Sequence, residues 1–329
     1  MSIKHGIVAV ISLVAACSPL LAQTNLVSPP ARDVAPSNQV PAVTGIRLDL
    51  APPQSPAEAP FPKGLRVFVC GHSFHTFIWY SLWEMASAVT GQFEPRWHPQ
   101  FLGGSTVLQH WDLPDERNEA KQLLTKGEVD VLTLAPGPFP DPGIENFVKL
   151  GLEHNPKMRF TVQLSWGGFD DDNQKRSGVS HHPDVNKTPA QLRALAEPNI
   201  KAGEEQIAKL NQQIGRRVVF LVPMAQAVVA LRTRIYNHQM PGLERQDQLF
   251  QDAIGHPTAP LQALNAYLHY AVIYRRSPVG FGKINPLMNA PKPAWDDKFN
   301  RALQELAWET VTNYPFSGVT VATETKQRD

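Results

Sequence analysis

Three side chains of this 329-residue chain, Ser73, Asp252 and His256, are of the types that together perform nucleophilic catalysis. A serine hydroxyl is a poor nucleophile until a base takes its proton, and the usual base is a histidine held in one tautomer by a carboxylate. Ser73 lies in the stretch Val67-Phe-Val-Cys-Gly-His-Ser-Phe-His75, where a short apolar run ends in a glycine and the serine follows two residues later. Read as a buried strand, that run puts the serine on the turn at its C-terminal end, where open α/β sheets carry their chemistry. Asp252 and His256 share one short turn just ahead of a helical pattern, a compact way to aim both side chains at one point.

Other polar and aromatic residues compete for functional roles. His72 and His75 flank the serine, but no third ligand with metal spacing accompanies them, so no metal and no cofactor is expected. Asp170-Asp-Asp172 and His181-His182 read as a solvated loop. Phe74, Trp111 and Trp166, with His72, are the candidates to line a pocket for a sugar or an acyl group, although aromatic rings at strand ends as often belong to the core.

These residues need a scaffold. Leu65 to Cys70 reads as the first strand, followed by a helix whose apolar stripe is Ile78, Leu82, Met85 and Val89 and which ends at Gly91. Phe93 to Leu102 is a weaker strand leading into Gly103-Gly-Ser-Thr106, and a polar helix from Pro114 to Leu124 precedes a strand at Val129 to Leu134. Ala135-Pro-Gly-Pro138 closes that strand. A helix from Gly143 to Leu152 and an alternating strand from Arg159 to Trp166 follow. Gly167 to Ala196 has no clean period and reads as a long loop over the active face. Ile207, Leu210 and Ile214 mark a helix stopped by Gly215, then a strand at Val218 to Val222, a helix at Ala225 to Tyr236, a helix from Thr258 and a last one through Trp295, Phe299, Leu303 and Leu306. Strands alternating with helices of this length imply an α/β fold with a mostly parallel sheet covered on both faces.

Outside that domain, residues 1–22 read as an export signal: a short basic region at Lys4 and His5, then an apolar run too short to span a bilayer. Val14-Ala-Ala-Cys17 also fits a bacterial lipobox, in which Cys17 would carry a lipid anchor; cleavage after Ala22 is the alternative. Residues 23–62 belong to a stretch with ten prolines between Ser18 and Pro62, an extended spacer that cannot bury enough surface to order itself. The folded domain is expected over 63–317, with a polar tail at 318–329. The protein is thus expected at the periplasm or cell envelope. Apolar and charged fractions of 42% and 19% are those of a globular protein, and a net charge of +1 argues against nucleic acid as a partner. The two cysteines, Cys17 and Cys70, cannot build a disulfide framework once Cys17 is removed or lipidated.

The order Ser73, Asp252, His256, with the last two close together near the C-terminus, resembles the SGNH (GDSL-like) hydrolase family over about Leu65 to Pro278. The resemblance implies a flavodoxin-like three-layer α/β/α sandwich with a central five-stranded sheet, and a serine just after the first strand. Gly71-His-Ser73-Phe stands for the family's first block, and Asp252-Ala-Ile-Gly-His256 for its last. Gly103-Gly104 is similar to the block whose glycine N–H helps form an oxyanion hole with the N–H of Ser73. Leu249-Phe through His256-Pro, followed by Asn265-Ala-Tyr and Ser277-Pro278, looks most like exported members of the family rather than a known lipase.

Two departures stand out. Gly255 widens the Asp-to-His spacing from three to four, which a glycine's backbone freedom can absorb. The block Gly-x-Asn-Asp is here Ala135-Pro-Gly-Pro138, which has no side-chain amide and two prolines that cannot donate, so the N–H of Gly137, a water or a residue such as Asn146 would have to substitute. Losing one oxyanion donor typically lowers the rate by about 10²–10³. The implied activity is an exported serine esterase acting on a small-molecule or carbohydrate ester, with an O-acetylated carbohydrate the first substrate to test. The alternative is a feeble or inactive carbohydrate-binding domain of the same fold. A Gly-x-Ser-x-Gly elbow is excluded because His75 stands where its second glycine would be.

Overall fold

A computed structural model describes residues 64–90, 98–167, 186–252, 254–285 and 293–320. The expected export signal, Cys17, the proline-rich spacer, residues 93–97 of the weak strand, Asp170–Asp172, His181-His182 and the tail beyond Thr320 lie outside these residues. Five strands form one all-parallel sheet: β1 Val67–Gly71, β2 Gln100–Phe101, β3 Val131–Leu134, β4 Arg159–Gln163 and β5 Val219–Val222, in the order β2-β1-β3-β4-β5. This is the flavodoxin-like doubly wound order.

Alternation along each strand divides the core in two. Phe68, Cys70, Leu132, Leu134, Phe160, Val162, Val219 and Leu221 point to one face, where α2 (Val107–Trp111), α3 (Glu119–Thr125), α4 (Pro142–His154) and α5 (Pro189–Ile214) cover them. Val69, Val131, Phe220 and Val222 point to the other, under α1 (Ile78–Thr90), α6 (Met224–Tyr236), α7 (Ala259–Tyr274) and α8 (Asp297–Thr312). Both faces of a parallel sheet are thereby dry, the condition its uninterrupted apolar runs require. The result is a three-layer α/β/α sandwich.

Three expectations about elements change. The loop expected to last to Ala196 ends at Pro189, where Thr188 caps α5 and exchanges hydrogen bonds with Gln191 in a capping box, so 189–196 is helix. The helix expected from Pro114 is a short 3₁₀ turn followed by α3, and α2 precedes it, started by the capping box Thr106–Gln109. Val89, expected on the buried stripe of α1, is exposed, because a 13-residue helix of about 20 Å outruns a five-residue strand of about 16 Å.

Chain direction across the sheet reverses at β1. The step from β1 to β2 runs one way with α1 on one face, while β3, β4 and β5 run the other way with α4 and α5 on the opposite face. The crevice at such a switch point lies outside the C-terminal ends of β1 and β3. Below it, Arg66 clamps Asp130 through two parallel N–H···O contacts at 3.0 and 2.7 Å, pinning the starts of these two strands.

Candidate active site

Ser73 follows β1 at the mouth of the switch-point crevice, and Asp252 and His256 reach it from the segment before α7. The Ser73 hydroxyl lies 2.9 Å from His256 Nε2, and His256 Nδ1 lies 2.6 Å from Asp252 Oδ2. A carboxylate accepts from Nδ1–H, so Nε2 carries the lone pair and accepts the Ser73 proton. Asp252 Oδ1 meanwhile accepts from the backbone N–H groups of Ile254, Gly255 and His256 at 3.0, 3.0 and 3.1 Å. The turn therefore holds its own carboxylate. Gly255 takes φ +90°, the region a side chain disfavours, and this lets the chain return from Asp252 to His256 within four residues. Burial works to raise the Asp252 carboxyl, but the His256 backbone N–H, its imidazole and the Gly255 N–H outweigh it and hold the group below the usual carboxylate range.

The other residues expected to form an oxyanion hole lie on the loops that follow β2 and β3, the two neighbours of β1. Gly103 and Gly104 follow β2, and Gly104 takes φ +63°. Gly137 follows β3 and faces the Thr106 methyl at 3.6 Å from where its own Cβ would be, so the two glycine-bearing loops meet. The backbone N–H groups of Ser73, Gly103, Gly104 and Gly137 have no acceptor among the described residues. Ser105 secures the first loop: its hydroxyl donates to the Leu102 carbonyl at 2.8 Å and meets Nε2 of buried His110, also at 2.8 Å.

The expected pocket residues separate. His72 is buried and latches two loops together, its Nε2 3.3 Å from the Pro136 carbonyl and its Nδ1 accepting from the Phe74 N–H at 3.2 Å. Burial lowers its pKa, the Pro136 contact opposes this and His256 adds to it, so it stays neutral. Phe74 stacks on Trp166 with ring centroids 4.7 Å apart and meets the His256 ring edge-to-face at 5.1 Å. Trp166 Nε1–H donates to the Gly255 carbonyl at 3.0 Å. Phe74 and Trp166 are buried and brace the loop that carries His256. Trp111 goes elsewhere: it packs on Phe147 with Lys121 over its ring, in the cluster on the opposite face of the sheet. Its strand-end position in sequence is in fact the end of α2. No group of three metal-ligating side chains occurs among the described residues.

What sequence reading missed is a buried polar network beneath the serine. His75 Nε2 meets Thr133 Oγ at 2.9 Å, Thr133 Oγ meets His269 Nδ1 at 3.4 Å, and His269 Nε2 meets Gln163 Oε1 at 3.0 Å. Gln163 and Asn265 both donate to the Phe74 carbonyl at 3.1 Å, and Asn265 also donates to Gln163 at 3.0 Å. His75, Thr133, Gln163, Asn265 and His269 are all fully buried. The available sign in the sequence is polar residues interrupting otherwise apolar elements: Thr133 and Gln163 in strands, Asn265 and His269 in a helix.

No family model matches the chain, and no curated protein matches it. Among solved structures, it is similar to a DUF4886 family protein from Bacteroides uniformis at 16% identity and a TM-score of 0.42, over 79% of this chain and 98% of that one.

Proposed function

We propose that this protein is an exported serine ester hydrolase of the SGNH type. The observation that carries the reading is the continuous relay Ser73 Oγ, His256 and Asp252 at 2.9 and 2.6 Å. Ser73 attacks the acyl carbonyl while His256 Nε2 takes its proton, and the carbonyl oxygen becomes an oxyanion facing the N–H of Ser73 and those of Gly103, Gly104 or Gly137. His256 then gives the proton to the departing alcohol. Water repeats the sequence on the acyl-enzyme, His256 again serving as base, and releases the acid. Asp252 keeps the tautomer that both half-reactions need. The turn Ala135-Pro-Gly-Pro138 supplies no side-chain amide, so backbone N–H groups must carry the oxyanion.

The substrate class is an acetyl ester of a carbohydrate, supported by the expected export and by the family resemblance; a lipid anchor at Cys17 would hold the enzyme at the envelope. No helix of the described residues is long and apolar enough to cross a membrane. The test is labelling by a fluorophosphonate probe and hydrolysis of an aryl acetate and of acetylated oligosaccharides, comparing the wild type with Ser73→Ala and His256→Ala. Each substitution is expected to lower kcat by about 10⁴–10⁶ and to abolish labelling. A wild type that neither labels nor hydrolyses, yet binds the oligosaccharide, would establish the alternative, a binding domain.

A further inference from the structure

Phe74, the residue after the serine, is held at four points. Its N–H donates to His72 Nδ1, its ring stacks on Trp166 and touches His256, and its carbonyl accepts from two side-chain amides, Gln163 Nε2 and Asn265 Nδ2. A carbonyl on a turn at a strand end ordinarily faces water or a neighbouring backbone N–H. Here both of its lone pairs are filled by buried amides from β4 and α7.

The amide orientations are fixed by the network. Gln163 Oε1 accepts from His269 and Asn265, which leaves its nitrogen to donate to Phe74 and to Ser165 Oγ. Asn265 spends its nitrogen on Phe74 and Gln163, and its Oδ1 has no partner among the described residues. Leaving a buried acceptor unsatisfied is unfavourable. Asn265 nonetheless commits both hydrogens of its amide to one place, the Phe74 carbonyl and the Gln163 oxygen beside it.

We infer that Asn265, with Gln163, is a positioning residue that fixes the Ser73–Phe74 turn so that the serine hydroxyl stands in line with His256 Nε2. The inference rests on the esterase reading above for its kinetic consequence. The geometry has an economical feature: Asn265 lies two turns into the helix that directly follows His256. The segment that carries His256 thus leads, three residues later, into the helix whose body carries Asn265. Misplacing a reacting group by about 1 Å lowers rates about 10²-fold without weakening substrate binding.

The experiment compares wild type, Asn265→Ala, Gln163→Ala, the double variant and Tyr267→Phe. The last removes a buried hydrogen bond to Asn300, 2.9 Å long, from the same helix but away from the serine, and controls for loss of stability. With an aryl acetate, Asn265→Ala is expected to lower kcat 10- to 100-fold with KM within twofold, and Tyr267→Phe to leave kcat unchanged at temperatures where all variants are folded. The double variant is expected to lose less than the product of the single losses, because both amides act on one carbonyl. A readout independent of turnover is the nitrogen resonance of His256 Nε2, assigned with Ser73→Ala: Asn265→Ala should shift it in the same direction, and Tyr267→Phe should not. An unchanged resonance, or a kcat within twofold of wild type, overturns the inference. If the wild type shows no hydrolysis, the esterase reading falls while the resonance comparison still decides the clamp.

Discussion

His256 and His269 both bear on the Ser73–Phe74 turn, and they are held in opposite ways. His256 is 30% exposed, touches the serine hydroxyl and has the Asp252 carboxylate on its other nitrogen. His269 is fully buried among Thr133, Gln163 and His75, with neutral partners only. Burial pushes its pKa down to about 3, and pushes that of His110 beside the Gly103 loop down to about 4, where the Gly71 backbone opposes and His72 adds. His256 has a carboxylate beside it, the partner that the proposed base role needs. The buried histidines have no such group and serve as neutral, two-ended hydrogen-bonding struts. Among histidines of one chain, then, it is the partner on the second nitrogen that separates a base from a brace.

The sharpest way to break that contrast is Asp252→Asn. The amide oxygen can still accept from the three backbone N–H groups, but its nitrogen cannot accept from His256 Nδ1–H, so the tautomer reverses. The expected loss in kcat is about 10³–10⁴ with little change in melting temperature; a loss of under tenfold would mean that His256 does not depend on the carboxylate.

Acid should act on the struts. In the unfolded chain a histidine binds its proton near pH 6.5, whereas folded His269 resists until about pH 3 and His110 until about pH 4. Above pH 6.5 neither site affects stability. As pH falls below it, the unfolded state takes up protons that the folded state cannot, so stability drops, by about 2 kcal/mol for each of the two at pH 5. Denaturant unfolding at pH 7.5 and 5 measures this, and His269→Gln should remove its share of the slope. His75 contributes in the same direction, its pKa lowered by burial and then by His269, His72 and His110.

Gly71 is where the two histidine regions touch. A Cβ there would lie 2.7 Å from His75 Nδ1 and 3.1 Å from the Ala135 methyl. Gly71→Ala is expected to destabilise by about 1–3 kcal/mol through overpacking, and to slow turnover by moving the serine turn. A normal melting temperature would show that the turn can shift freely. The smallest effect is expected from Trp166→Phe, which keeps the stack on Phe74 but removes the hydrogen bond to Gly255, worth about 0.5–1.5 kcal/mol. A three- to tenfold fall in kcat, read by steady-state kinetics, fits a loosened His256 loop, and a rise in KM alone does not.

Much of this arrangement was readable in the chain. Apolar runs marked β1, β3 and β5, alternation marked β4, and stripes at three- and four-residue spacing marked α1, the end of α5, α7 and α8, because these patterns reflect which sides of a short element face a dry layer. Asp252 and His256 were readable as a pair because four residues in one turn interact locally. The starts of α2 and α5 were written as well, in Thr106-x-x-Gln109 and Thr188-Pro-x-Gln191, though apolar periodicity passes over them. Trp111 shows the limit: an aromatic residue near a glycine loop reads the same whichever face of the sheet receives it, and here it joined the far one.

Residue identity by itself determined the candidate nucleophile, the self-capped Asp252–His256 turn and an α/β alternation, all of which depend on interactions within a few residues. Only the tertiary structure decided that residues 183 apart in sequence meet as Ser73 and His256, that β1 is the switch strand, and that Asn265 and Gln163 converge on one carbonyl. The physical reason is that strand order and burial are properties of the whole packed sheet. A histidine's charge and an amide's partner follow from its final neighbours, which a local pattern does not contain.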